Sequence, residues 1–163
     1  MRNIRITYQY DGSKYYGFQR QKNKDTVQGD IEKIVFSKFN EKINMTSSGR
    51  TDRGVHALGQ VSNFSISKKI PLDAIKQQIN KTLRGRVKIL SIEEIRENFN
   101  ARFDAKRRTY LYVLKNESKI TPFEAPYVTS IKEEIDVDKL QLIFQPFIGE
   151  HDFSSFAKKD EAM

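Results

Sequence analysis

Arg2-Asn3-Ile4-Arg5-Ile6-Thr7-Tyr8-Gln9-Tyr10, followed by the turn pair Asp11-Gly12, carries an apolar or aromatic side chain at every second position from Ile4 onward. A period of two puts those side chains on one face of a half-buried strand. Asp11-Gly12 ends the strand, and a polar loop studded with aromatics runs to Asp25. There, Asp25 with Gln28 three residues later predicts a helix N-cap and its reciprocal partner. Val27, Ile31, Ile34, Val35 and Phe39 then recur at helical spacing. Further out, the pattern predicts a second strand over 43–47, a third over 60–66 and a fourth over 87–92. Between the last two, Pro71 opens a helix whose buried stripe is Leu72, Ile75, Ile79 and Leu83.

Strand, helix, strand, strand, helix, strand is the α+β, split βαβ order: a ferredoxin-like antiparallel sheet with both helices on one face, the other left open for a ligand. Residues 1–106 are expected to form this domain. After it, Thr109 to Leu114 predicts one more strand, and Val137, Leu140, Phe144 and Phe147 one more helix, broken late by Pro146. Residues 107–163 therefore read as the beginning of a second, similar α+β domain, truncated before its core closes and ending in a short charged tail.

The chain has 163 residues and a net charge of +8, which favours polyanionic partners. The charge is uneven: residues 1–115 hold 24 basic and 11 acidic side chains, residues 116–163 only 5 and 10. Zero cysteine excludes disulfides, thiolate nucleophiles and zinc ribbons. No apolar run approaches the roughly 18 residues of a spanning helix, and the amino-terminal segment lacks the solid apolar stretch of a secretory signal, so a cytoplasmic chain without a membrane partner is expected.

Ser48-Gly49-Arg50-Thr51-Asp52-Arg53-Gly54-Val55-His56-Ala57-Leu58-Gly59 concentrates three glycines around one carboxylate flanked by two guanidinium groups. Nearby cations favour an ionised carboxylate, the form a nucleophile requires, but on local features alone an Asp-capped turn with surface ion pairs is the commoner reading. His151-Asp152 with Ser154 and Ser155 holds the residue types of a hydrolase triad, yet adjacent residues rarely orient one another as base and orienter. His56 and His151, without cysteine, make a poor metal set.

The Asp52 stretch resembles the signature of the tRNA pseudouridine synthase A family, Gly-Arg-Thr-Asp-x-Gly-Val-His-Ala followed by Gln-Val. Tyr10-Asp11-Gly12, Tyr16-Gly17-Phe18-Gln19 with Gln21, Thr26-Val27-Gln28 with Ile31-Glu32, Ala101-Arg102-Phe103, Tyr110 with Tyr112, and Gly149 with His151-Asp152-Phe153 resemble further family blocks in family order. The resemblance implies isomerisation of uridine to pseudouridine in tRNA, at positions 38 to 40 of the anticodon stem-loop, by a homodimer that needs no cofactor or metal. It implies Asp52 as the nucleophile, Tyr110 as the ring stacked on the target base, and Arg50 as a substrate contact. Arg53, Lys68, Lys69, Arg102, Arg107 and Arg108 are candidate RNA contacts. Family members carry a further active-site arginine in a later part of their chain, so the alternative reading is a catalytically incomplete RNA-binding fragment.

Overall fold

Every apolar position of the opening alternation is buried: Ile4, Ile6, Tyr8 and Tyr10 are at most 4% exposed. The structure, a computed structural model, describes residues 1–156. They divide into two units, Met1–Leu111 and the stretch from Tyr112 onward. In the first unit β1 (Arg2–Tyr10), α1 (Val27–Phe39), β2 (Thr46–Ser47), β3 (Ala57–Ile66), α2 (Leu72–Thr82) and β4 (Val87–Ile95) follow the split βαβ order. The sheet order is β2-β3-β1-β4 with every pairing antiparallel. Placing β1 in the middle is what makes its alternation so regular, because both edges are hydrogen-bonded and one face carries the core.

Both helices pack on that face. Val27, Ile31, Ile34 and Val35 of α1 and Ile75, Ile79 and Leu83 beside α2 join the β1, β3 and β4 side chains in one cluster. Full burial of each such aliphatic side chain contributes about 1.5–3 kcal/mol, which anchors both helices to the sheet. The N-cap of α1 is Thr26, whose Oγ1 accepts from Gly29 N, and not Asp25. Gln28 consequently turns inward instead of reaching back to the cap. The second strand is shorter than expected, Thr46–Ser47 alone. Ile43 and Met45 are buried, but this edge segment pairs with β3 only at its last two residues.

The face opposite the helices is not left wholly open. Asn3 Nδ2 donates to the carbonyls of Arg96, Glu97 and Phe99, and Asn63 takes up Phe99 O and Ala101 N. These two asparagines dock the chain after β4 across one end of that face.

In the second unit β5 (Leu114–Asn116) and β6 (Thr129–Ile131) form a two-stranded parallel sheet, and α3 (Val137–Phe144) begins at an Asp136 cap. The strand expected over Thr109–Leu114 is displaced toward the carboxyl end: Val113 O accepts from Thr129 N, and regular pairing starts only at Leu114, opposite Thr129. Residues 109–112 carry a strand-like alternation but no backbone pairing among the described residues, and a strand persists only where its backbone groups are paired. The predicted charged tail, 157–163, lies outside the described residues.

Candidate active site

Three tethers fix the loop that carries Asp52. At its start, Ser48 N donates to Val61 O, and the buried Gln60 side chain accepts from Ser48 Oγ while donating to Gly49 O at 2.9 Å. At its centre, Phe18 N donates to Thr51 O at 3.0 Å, and the Tyr10 hydroxyl shares a 2.8 Å hydrogen bond with Thr51 Oγ1. At its end, Val55 N closes a turn onto Asp52 O. Gly12 N donates to His56 Nδ1 at 3.1 Å, and Asp11 Oδ1 lies 3.2 Å from the same ring nitrogen.

Two glycines make this close approach possible. A Cβ on Gly12 would stand 2.0 Å from Val55 O, so only glycine lets the end of β1 touch the loop. Gly54 adopts φ +84°, the left-handed turn position that side chains rarely adopt. A β-bulge between Tyr8 and Tyr10 on the β3 side adds one residue to β3 where it leaves the loop, turning the strand's start.

Asp52 itself is exposed, and its side chain has no hydrogen-bond or ion-pair partner among the described residues. The flanking guanidinium groups do not pair with it, contrary to the sequence expectation. Arg53 stacks over the Tyr16 ring at 4.6 Å, and Arg50 turns into a neighbouring cleft of about 310 Å³. In a loop, neighbours in sequence diverge in direction, so neither cation is held to the carboxylate beside it. Asp52 does not line the cleft; Phe18, which holds Thr51, does.

Several expected site residues converge on this region. Arg102 lines the same cleft as Arg50, its backbone fixed through the Asn63–Ala101 bond. Arg108 donates from Nε to Ser48 O at 2.9 Å, against the start of the loop. Arg107 is exposed. Tyr110 is 72% exposed and belongs to no strand. The Lys68-Lys69 pair is not brought here: it follows β3 where Asp52 precedes it, so about 30 Å of strand separates them. Lys68 Nζ is spent on the carbonyls of Phe39 and Asn40, closing the carboxyl end of α1.

Sequence reasoning missed Arg20, which lines the cleft, and Glu32, which holds it at 2.7 Å. A glutamate at the i+4 position from Gln28, inside the apolar stripe of α1, was the available signal. The triad decoy dissolves: His151 Nε2 contacts Ile148 O, and Asp152 caps Ser154 N.

A family model described as tRNA pseudouridine synthase matches residues 6–104, which include the loop and most of the cleft. The chain is 42% identical over 160 residues to the tRNA pseudouridine synthase A of Caldicellulosiruptor bescii, covering 98% of this chain and 66% of that one. Its similarity to the protein of the same name from Brachyspira hyodysenteriae is 42% over 163 residues, covering 99% and 66%. With that from Solibacter usitatus it is 40% over 160 residues, covering 98% and 67%. The chain thus spans about two thirds of the length of these curated relatives. A matched region that runs from within β1 through β4, together with relatives at this identity, is decisive: the chain belongs to the tRNA pseudouridine synthase family.

Proposed function

We propose that this chain carries the nucleophile of an enzyme that converts uridine to pseudouridine in tRNA, at positions 38 to 40 of the anticodon stem-loop. One observation supports the reading most: Asp52 is exposed and unpartnered on a loop whose backbone is fixed on both sides. A nucleophile must be free to bond to substrate yet held in place, and a purely structural Asp would be expected to cap or pair.

In this reading the Asp52 carboxylate bonds to the nucleotide, at the ribose or at the base, and the N1–C1′ bond breaks. The uracil turns in place and the C5–C1′ bond forms. The C5 proton leaves, N1 gains one, and the carboxylate is released. No electrons leave the system, so no redox cofactor is called for. The target base must leave its stack, at a cost of a few kcal/mol, which stacking on the Tyr110 ring offsets by about 1–3 kcal/mol. Arg50, Arg53, Arg102, Arg107, Arg108 and Lys69 supply phosphate contacts, and the enzyme works in the cytoplasm as a homodimer. Residues 1–106 carry the nucleophile, and 107–163 open the second domain.

The test is release of tritium from C5-labelled uridine in tRNA, with the protein as it occurs in the cell. Asp52→Asn keeps the shape of the side chain and loses its nucleophilicity. Turnover should fall at least about 10³-fold while tRNA affinity stays within a few fold. Residual turnover within about tenfold of the unmodified enzyme overturns the assignment. Tyr110→Phe retains the ring, so binding should survive while turnover drops about tenfold or more, because its hydroxyl assists the proton movement at C5.

A further inference from the structure

The block Thr26-Val27-Gln28 with Ile31-Glu32 has no chemical role in the reaction above, yet it places a carboxylate on the buried side of α1. Glu32 is 7% exposed. A buried carboxylate is costly unless its oxygens are hydrogen-bonded, and both are. Oε1 accepts from Met45 N at 3.0 Å and from Gln28 Nε2 at 2.9 Å, and Oε2 accepts from Arg20 Nη1 at 2.7 Å. Gln28 also accepts from Arg20 N, so α1 grips both the backbone and the side chain of Arg20.

We infer that Arg20 binds a backbone phosphate of the tRNA and that Glu32 is the positioning residue that holds its guanidinium in the cleft. The inference rests on the tRNA reading and extends it. The Arg20 side chain stays 60% exposed despite its ion pair, and Glu32 engages one of its five N–H donors. Arg50 and Arg102 line the same cleft without an ion-pair partner among the described residues, and no acidic residue lines it. Three guanidinium groups against one carboxylate behind them leave a net positive cleft. Its other walls, Gln19 and Ser47, offer neutral polar groups. A phosphodiester fits that charge and the planar donor fork of arginine.

Positioning and simple charge give opposite signs for Glu32→Gln. Removing a negative charge near a polyanion should tighten binding if charge alone matters. Losing the grip on Arg20 should weaken it. The experiment measures tRNA affinity across a salt series for the unmodified protein, Arg20→Gln, Glu32→Gln and the double variant. We expect Arg20→Gln to weaken binding about 5- to 10-fold near 0.1 M salt and to lower the slope of log K against log salt by about one phosphate's worth. Glu32→Gln should weaken binding about 3- to 5-fold, and the double variant should be no weaker than Arg20→Gln alone, since both act through one contact. Tighter binding by a folded Glu32→Gln, or an unchanged slope in Arg20→Gln, overturns the inference while tRNA binding by the unmodified protein stands. No tRNA binding by the unmodified protein overturns the tRNA reading and the inference together. Should Glu32→Gln fail to fold, the slope of Arg20→Gln decides, because that side chain is exposed.

Discussion

The Asp52 loop and the stretch 105–113 are both without helix or strand and both present exposed candidate site residues, but their backbones are held very differently. The loop is tied at Gly49, Thr51 and His56 to three separate elements, α1's leading loop, β1 and β3. The stretch around Tyr110 is held only near its ends, by the Arg108 side chain on Ser48 O with a weaker bond to Arg102 O, and by Val113 O, which accepts from Thr129 N. A side chain can therefore be exposed and still be aimed, provided its flanking carbonyls and amides are spoken for. The burden of positioning falls on groups other than Asp52 itself: Gln60, Tyr10, Gly12 and His56.

Breaking the strongest tether should have the largest effect. Gly12→Ala would force a Cβ into Val55 O, a backbone atom that moves only with the loop. We expect a loss of about 3 kcal/mol in stability, with a melting temperature lower by about 5–10 °C, as for other forced overpacking. Turnover should fall much further than stability does, because the displaced segment begins three residues after Asp52. An unchanged melting temperature would show that the loop yields freely and that the contrast with the Tyr110 stretch is unfounded.

A smaller perturbation acts on the turn beneath that contact. Burial raises the Asp11 titration, but hydrogen bonds from Ser13 Oγ and Ser13 N and the nearby His56 outweigh it and hold the carboxyl below the ordinary aspartate range. A depressed native titration contributes stability that is present above the unfolded-chain value and is lost as pH falls through the native one. Asp11→Asn keeps the capping oxygen and loses the charge, so it should cost about 0.5–1 kcal/mol near neutral pH, the scale of a lost exposed charge interaction. The difference from the unmodified chain should vanish in acid, below both titrations. Denaturant melts at a series of pH values read this directly, and a gap that persists at low pH would assign the loss to packing instead of charge.

How much of this was legible beforehand follows from the same contrast. β1 and both helices could be read because their burial is periodic: Ile4, Ile6 and Tyr8 on one side of a central strand, Ile75 and Ile79 on one side of α2. Asp52 stood out by resemblance. Its surroundings did not, since the ties that fix it join residues as far apart in sequence as Gly12 and His56, and no local pattern encodes such pairs. The alternation of Thr109 to Leu114 misled for the complementary reason. It satisfies the period of a strand, but pairing is supplied by another segment, and among the described residues β6 reaches only Val113 and Leu114. Likewise Arg53 was expected to serve Asp52 from next door, whereas the Tyr16 ring receives it.

The smallest expected effect separates two neighbouring arginines on the lightly held stretch. Arg108 has a structural engagement, its Nε on Ser48 O, whereas Arg107 is exposed and its side chain makes no hydrogen bond or ion pair among the described residues. If Arg107 serves only as a phosphate contact, Arg107→Ala should weaken all tRNAs about 2- to 5-fold, lower the salt slope by about one, and leave the melting temperature unchanged. Arg108→Ala should add to this a loss near 1 kcal/mol in stability from the lost hydrogen bond, and a fall in turnover at saturating tRNA as the start of the Asp52 loop loosens. Identical behaviour of the two variants in turnover would mean that the tether from Arg108 does not hold the loop. The firmness of that loop would then come wholly from Gln60, Tyr10 and the Gly12–His56 contact.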